Sequence, residues 1–263
     1  LEELYNQRWA SVSNSDAHRW LYNSSSGSVT GAYLEYYKAI DRVNRVLARV
    51  DDVETKSTEI DLKNQYKGEA LAIRAFSHFE LLRGYAAGYN TGALGIAYMT
   101  KAEISYPSRD LFETVIANVK ADLLAAKPLI PASFNDKTRM TKLAVSAMQA
   151  RVALYEKNWA DAITYSTEVI TAAPLATKSQ FPGIWTDAAV NEVIFKLKRN
   201  VNGTADGSLF GSFFFRQTGS IVLYAPSFKV LNLFDKVNDV RYASYIRFDA
   251  TRGVGKSEYL VKK

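Results

Sequence analysis

NQYKGEALAIRAFSHFELLRGYAAGY, residues 64–89, is the stretch whose reading decides the fold. It has no Pro, and Gly68 and Gly84 interrupt a run of good helix formers. It reads as one helix of roughly six to seven turns. Its charges do not gather on one face. Lys67, Arg74 and His78 share a stripe, and Glu69, Glu80 and Arg83 share another nearly opposite. Between them run two apolar flanks, one with Ala70 and Ile73, the other with Ala72, Ala75, Phe79 and Leu82. A surface helix has one apolar stripe, so two flanks predict neighbours on two sides. The small residues predict a close approach.

The 263 residues allow one large or two modest domains with ample core. A hydrophobic share of 48% with 23% charged residues is that of an ordinary globular protein, and disorder is excluded. The net charge is +6, with lysines and arginines spread out. No basic block points to nucleic acid, and no apolar run approaches the about 20 residues of a membrane span. The absence of cysteine removes disulfides, thiol catalysis and cysteine metal sites. The chain starts at Leu1 and is read as a mature or trimmed piece, so the lack of a signal says nothing of location.

Outward from the opening stretch, residues 1–11 read as a helix and residues 12–31 as a polar loop carrying Asp16, Arg19, Trp20, Tyr22 and Asn23. Trp20 there is either a binding platform or an anchor to the core. Thr30 is the expected cap of a helix to about Val50, with Ala32, Tyr36, Ile40, Val43 and Leu47 in register. Residues 89–107 read as a loop with a short extended piece near Ile96 to Met99. Ser108 is the expected cap of a helix from Arg109 to about Leu129, ended by Pro128 and Pro131. Residues 141–156 and 159–172 are two helices with only Lys157 and Asn158 between them, a tight αα-hairpin. Counted in a repeat of about 34 residues, Ala150 and Ala162 fall where the paired helices of a tetratricopeptide repeat (TPR) touch. The segments 30–87 and 109–156 are helix pairs of similar kind, which predicts a short α-solenoid.

After Pro174 the character changes. Residues 192–198, EVIFKLK, alternate and read as a strand. A Gly- and Ser-rich stretch then carries Phe213, Phe214 and Phe215, followed by Tyr224 and Pro226. The expected fold is mainly α: a TPR-like helical scaffold over 1–174, with a ligand-facing loop at 12–31, and an irregular Gly- and aromatic-rich region with short β-strands over 175–263.

The order of motifs resembles one family. GEALAIRAFSHFELLRGY is similar to the signature helix of SusD/RagB-type outer-membrane nutrient-binding lipoproteins. Ser15-Asp16 with Trp20 and Tyr22 resembles the family's aspartate-and-aromatic loop, and residues 37–44, YKAIDRVN, its tyrosine-to-asparagine helix. Residues 93–98, ALGIAY, resemble its Gly-hydrophobic-Pro loop, with Ala97 where Pro is usual. Asp122-Leu123, Arg139 to Lys142, Asn158 to Ile163, Glu192 to Phe195 and Asp239 to Arg241 follow in the family's order. The resemblance covers about residues 14 to 245. It implies lipid anchoring on the outer face of the outer membrane, through an N-terminal anchor absent from this chain. It implies a SusC-like TonB-dependent transporter as partner, an oligosaccharide or peptide as ligand, and no catalysis. Family members continue past Lys263 into further TPR-like helices, so the chain reads as stopping mid-domain.

Sugars present apolar C–H faces and many hydroxyls, and their binders set flat rings beside polar groups. Two stretches fit: Asp16, Arg19, Trp20, Tyr22 and Asn23, and Phe213, Phe214, Phe215 and Tyr224. Trp159 reads as packing, and Trp185 as either core or site. With His18 and His78 on different elements and no HExxH, neither a metal nor a histidine-based catalytic site is expected, and no cofactor. No pair of carboxylates stands out as a glycosidase pair. The alternative from another class is a TPR-type scaffold for a peptide or protein partner.

Overall fold

The structure, a computed structural model, is described for residues 3–4, 19–197, 200–201, 204–205, 215–216, 221–222, 224–252 and 258–261. The chain divides into two compact units. One comprises Tyr22–Pro174 and Val193–Leu197, and the other Leu1–Leu21, Leu175–Glu192 and Lys198–Lys263. Among the described residues, no helix is long and apolar enough to cross a membrane.

The first unit is a row of helices: α1 (Gly27–Leu47), α2 (Ile60–Tyr85), α3 (Phe112–Leu129), α4 (Lys142–Glu156) and α5 (Trp159–Ala172). The α2 helix is the opening stretch shifted by four residues: it begins at Ile60, after two short 3-10 turns, and ends at Tyr85 rather than Tyr89, with Ala86 already extended. The flank with Ala72, Ala75, Phe79 and Leu82 is nearly inaccessible, as is Leu81, while on the other flank Ala70 is buried and Ile73 half-buried. The helix packs against α1 on one side and α3 on the other. The core joins Ile40 of α1, Ala72, Ala75, Phe79, Leu81 and Leu82 of α2, Val115, Val119 and Leu123 of α3, and Val145 and Val152 of α4.

Two caps differ from expectation. The α1 helix starts at Gly27, and the Thr30 hydroxyl, inside its first turn, donates to the Ser26 carbonyl. The α3 helix starts three residues later than Arg109, with Leu111 rather than Ser108 at its N-cap. The reason is competition from extended backbone. Leu111 bridges Leu94, Gly95 N–H donates to the Asp110 carbonyl (2.7 Å), and Phe112 N–H donates to Ala93 (2.8 Å). These bonds hold residues 109–111 out of the helix.

The αα-hairpin is as its sequence dictates. Thr141 Oγ1 accepts from Ala144 N–H (3.1 Å) at the start of α4. Lys157 turns the chain in the left-handed region (φ 60°), and Asn158 Oδ1 accepts from Asp161 N–H (3.2 Å) to start α5. Ala150 and Ala162 are both buried. Trp159, expected to pack, is instead 59% exposed at the first position of α5, in line with exposed Ile163 and Ile170.

The two glycines of α2 have opposite roles. A Cβ on Gly68 would lie 2.9 Å from the Ala126 carbonyl, the Leu129 Cβ and the Ile130 side chain, whereas one on Gly84 meets nothing. Gly68→Ala is therefore expected to cost about 1–3 kcal/mol by overpacking against α3. Gly84→Ala is expected to stabilise by about 0.5–1 kcal/mol through helix propensity. Urea denaturation of the two variants checks the pair, and equal effects would refute the close approach.

The EVIFKLK stretch is not a strand. Its residues 193–197 form no ladder and belong to the first unit, with Lys196 N–H donating to the Lys137 carbonyl (2.8 Å) and Ile194 and Phe195 packed on the core. The alternation does not map onto one buried face: adjacent Ile194 and Phe195 both pack on the core, and Leu197 is exposed.

The second unit is irregular. Its short ladders are antiparallel: β1 (Glu3–Leu4) with β6 (Tyr224–Ala225), β2 (Asn200–Val201) with β3 (Thr204–Ala205), β4 (Phe215–Arg216) with β5 (Ile221–Val222), and β7 (Ile246–Phe248) with β8 (Tyr259–Val261). Glu3–Leu4 thus corrects the helix expected over 1–11, whose other residues lie outside the described ones. Among the described residues, the second unit also has three short α-helices, α6 (Phe181–Trp185), α7 (Phe228–Leu231) and α8 (Val240–Tyr245). Trp185 meets Tyr245 edge-on at 4.7 Å and Phe181 at 6.1 Å, so its ring serves packing within this unit.

Candidate functional site

The aromatic turn named from sequence begins at Arg19 and Trp20. Trp20 takes a left-handed backbone (φ 59°), a conformation that costs a non-glycine residue about 1–3 kcal/mol. Its side chain is 80% exposed, so it does not anchor the turn in the core. Tyr22 is also exposed. Asn23 is committed locally: its Oδ1 accepts from Ser25 N–H (2.8 Å), and its own N–H donates to Ser26 Oγ (3.0 Å). This turn leads into α1. Arg19 and Trp20 belong to one compact unit, Tyr22 and Asn23 to the other. Asp16, Phe213 and Phe214 lie outside the described residues. Phe215 and Tyr224 stand in β4 and β6, opposite Val222 and Leu4.

A second surface lies within the helical unit, and sequence reading missed it. Residues 97–109, read there as the end of a loop with a short extended piece and the start of a helix, wall a cleft of about 460 Å³ against α1. Tyr33, Tyr37 and Ile40 of α1 line one side, and Met99, Lys101, Glu103 and Tyr106 the other. The Tyr33 ring lies 4.8 Å from Tyr37 and meets Tyr85 edge-on at 5.1 Å.

The wall is pinned at both ends. Tyr37 OH donates to the Ala97 carbonyl (2.9 Å), and Asn44 Nδ2 donates to the carbonyls of Met99 (2.9 Å) and Lys101 (3.4 Å). Met99 N–H donates to His78 Nε2 (2.9 Å). At the far end Arg109 donates to the carbonyls of Gly95 (2.6 Å), Tyr85 (2.8 Å) and Leu94 (3.1 Å).

Beneath the cleft sits a buried polar network. Arg74 of α2 grips Asp122 of α3 through two bonds, 2.7 and 2.6 Å, and donates to Asn44 Oδ1 (3.2 Å). Tyr98 OH donates to Asp122 Oδ2 (2.5 Å), and burial pushes this hydroxyl far above its ordinary pKa. The polar stripes of α2 therefore serve helix-to-helix bonding. Arg74 on one stripe pairs with Asp122, and on the other stripe Glu69 pairs with Arg139 and Glu80 with Arg83 and with Arg151 of α4. Among the described residues, no group of three or more His, Asp or Glu could hold a metal ion.

Residues 2–154 match a family model described as SusD-like, starch-binding and associating with the outer membrane. The chain belongs to the SusD-like family. A SusD-like protein of Formosa agariphila is 26% identical over 165 residues, 61% of this chain and 30% of that protein. A SusD superfamily structure from Bacteroides thetaiotaomicron superposes with a TM-score of 0.79 at 19% identity, covering 94% of this chain and 58% of that one. A SusD-like carbohydrate binding protein from Bacteroides vulgatus is 25% identical, with a TM-score of 0.58 over 67% of this chain and 38% of its own. The SusD-like chain thus spans well under two thirds of the length of these relatives. The mainly α, TPR-like fold expected from sequence is the fold it shares with them.

Proposed function

We propose that this SusD-like chain is part of a non-catalytic surface binder. It captures an extracellular oligosaccharide at the outer membrane and hands it to a TonB-dependent, SusC-like transporter. The observation that carries this reading is the family match over residues 2–154, whose description names starch binding and outer-membrane association. Two others support it: the solved relative that is a carbohydrate binding protein, and the exposure of Trp20 and Tyr22 in one turn. A flat ring held out on a left-handed backbone suits stacking on a sugar's C–H face. In this reading residues 1–174 are the scaffold. The turn within 12–31, with Phe213, Phe214, Phe215 and Tyr224 of the 175–263 region, contacts ligand. A lipid anchor at the N-terminal end holds the protein to the outer face of the membrane.

A second reading, a TPR-type scaffold for a peptide or protein, draws on one observation, the exposed line of Trp159, Ile163 and Ile170 along α5. Calorimetry of the full-length protein against glycans and peptides separates the two. Binding of a neutral glycan, weakened at least about tenfold by Trp20→Ala, is the expected result; tenfold is about 1.4 kcal/mol. Peptide binding without glycan binding selects the scaffold, and binding of neither sinks both.

A further inference from the structure

The cleft between α1 and residues 97–109 belongs to none of the site residues named above. Its volume of about 460 Å³ lies within the range of about 300–1,000 Å³ of small-molecule sites. Its composition is of a particular kind. The floor is ring and aliphatic surface, Tyr33, Tyr37 and Ile40. The rim is polar, and its charges cancel: Asp41 and Glu103 against Lys101 and Arg109.

Two of those four charges are already spent. Asp41 is paired with Arg45 at 2.8 Å, and Arg109 is held by three backbone carbonyls. Lys101, Glu103 and Ser105 remain: among the described residues, their side chains make no hydrogen bond or ion pair. Tyr106 and Ile104 stand 98% and 97% exposed on the same wall. An aromatic ring and an isoleucine left this open, between ends fixed by hydrogen bonds, gain from nothing in the described unit.

We propose that this cleft is an oligosaccharide subsite for neutral sugars. Tyr33 and Tyr106 supply ring faces for sugar C–H groups. Glu103 accepts hydroxyl hydrogen bonds, and Lys101 and Ser105 donate them. One unpaired cation and one unpaired anion balance, so a uronide or sulfated sugar gains no net attraction. Because the root of the wall is fixed by Tyr37, Asn44 and His78, little of its ordering is left for the ligand to bring about.

This subsite rests on the glycan-binding reading above, and its test keeps the two apart. The full-length protein is titrated with maltotriose, cellotriose, mannotriose, laminaritriose and trigalacturonate. Wild type, Trp20→Ala, Tyr106→Ala and Glu103→Gln are compared, with hydrogen exchange of residues 100–110 as a second readout. Tyr106 and Glu103 are exposed, so both variants are expected to keep the wild-type thermal midpoint. The expected result is a neutral trisaccharide that slows exchange in 100–110, does so equally in Trp20→Ala, and loses at least tenfold in affinity there in Tyr106→Ala and Glu103→Gln. If sugar binds the wild type but exchange in 100–110 and the affinities of these two variants are unchanged, the subsite is wrong and the glycan reading stands. If trigalacturonate alone protects the wall, the neutral class is wrong. If no sugar binds the wild type, both fall.

Discussion

Asp122→Ala is expected to lower the stability of the protein by about 3–5 kcal/mol, the cost of stranding a buried charge. The Arg74 and Asp122 side chains are only 13% and 10% exposed, and they meet through two short, parallel bonds. Removing the carboxylate leaves the guanidinium with Asn44 Oδ1 as its remaining side-chain acceptor. Tyr98 loses its short bond as well, and the Asn118 carbonyl, 3.3 Å away, is a poorer acceptor. The double variant Arg74→Met, Asp122→Leu removes both charges and is expected to recover most of the loss, since a buried pair adds little over an apolar pair of similar volume. Urea denaturation followed by tryptophan fluorescence measures both. A loss below about 1 kcal/mol in the single variant would mean that water reaches the pair.

Acid is expected to weaken the fold through His78. The imidazole is fully buried and stacks on Tyr98 at 3.9 Å. Its Nε2 accepts from Met99 N–H, which fixes the neutral tautomer with the proton on Nδ1, and that proton goes to the Arg74 carbonyl at 2.9 Å. Burial pushes its pKa down to about 4, and the Arg74 charge adds to this; the Arg74 carbonyl and the Asp122 charge oppose it. In the unfolded chain a histidine titrates near about 6.5. Between pH 6.5 and about 4 the unfolded chain holds a proton that the folded one refuses. Stability is therefore full above pH 6.5 and falls as pH drops through that window, by about 3 kcal/mol in all. The only other histidine, His18, lies outside the described residues. The urea midpoint of the wild type is expected to fall between pH 7 and 5, where carboxylates titrate little. His78→Gln, less stable at pH 7, is expected to show a flatter profile. Parallel profiles would assign the acid loss elsewhere. Protonating His78 also sets two donors against each other at Met99, so the wall of the cleft loosens along with the fold.

Both effects arise from residues whose type was legible and whose partners were not. The α2 helix could be read because its information is local: helix formers, no Pro, and apolar residues at helical spacing on two flanks. Two apolar flanks led to two neighbours, and the structure supplies α1 and α3. The αα-hairpin was legible for the same reason, since Thr141, Lys157 and Asn158 cap and turn the chain within a few residues. Ser108 misled because a bridge from Leu94 to Leu111 outcompetes a local cap. EVIFKLK misled because apolar residues can be taken up by the core of a helical unit without a ladder: Ile194 and Phe195, adjacent in the chain, both pack on it.

By itself, then, the sequence determined the helical scaffold, its hairpin and its family. Those rest on residues that act on near neighbours and on an order of motifs along the chain. Only the tertiary structure decided that Arg74 meets Asp122, that His78 holds the Met99 amide, and that Tyr33 and Tyr106 face one cleft. A polar side chain carries its hydrogen-bonding capacity in its type, but the partner that satisfies it across two helices is chosen by packing.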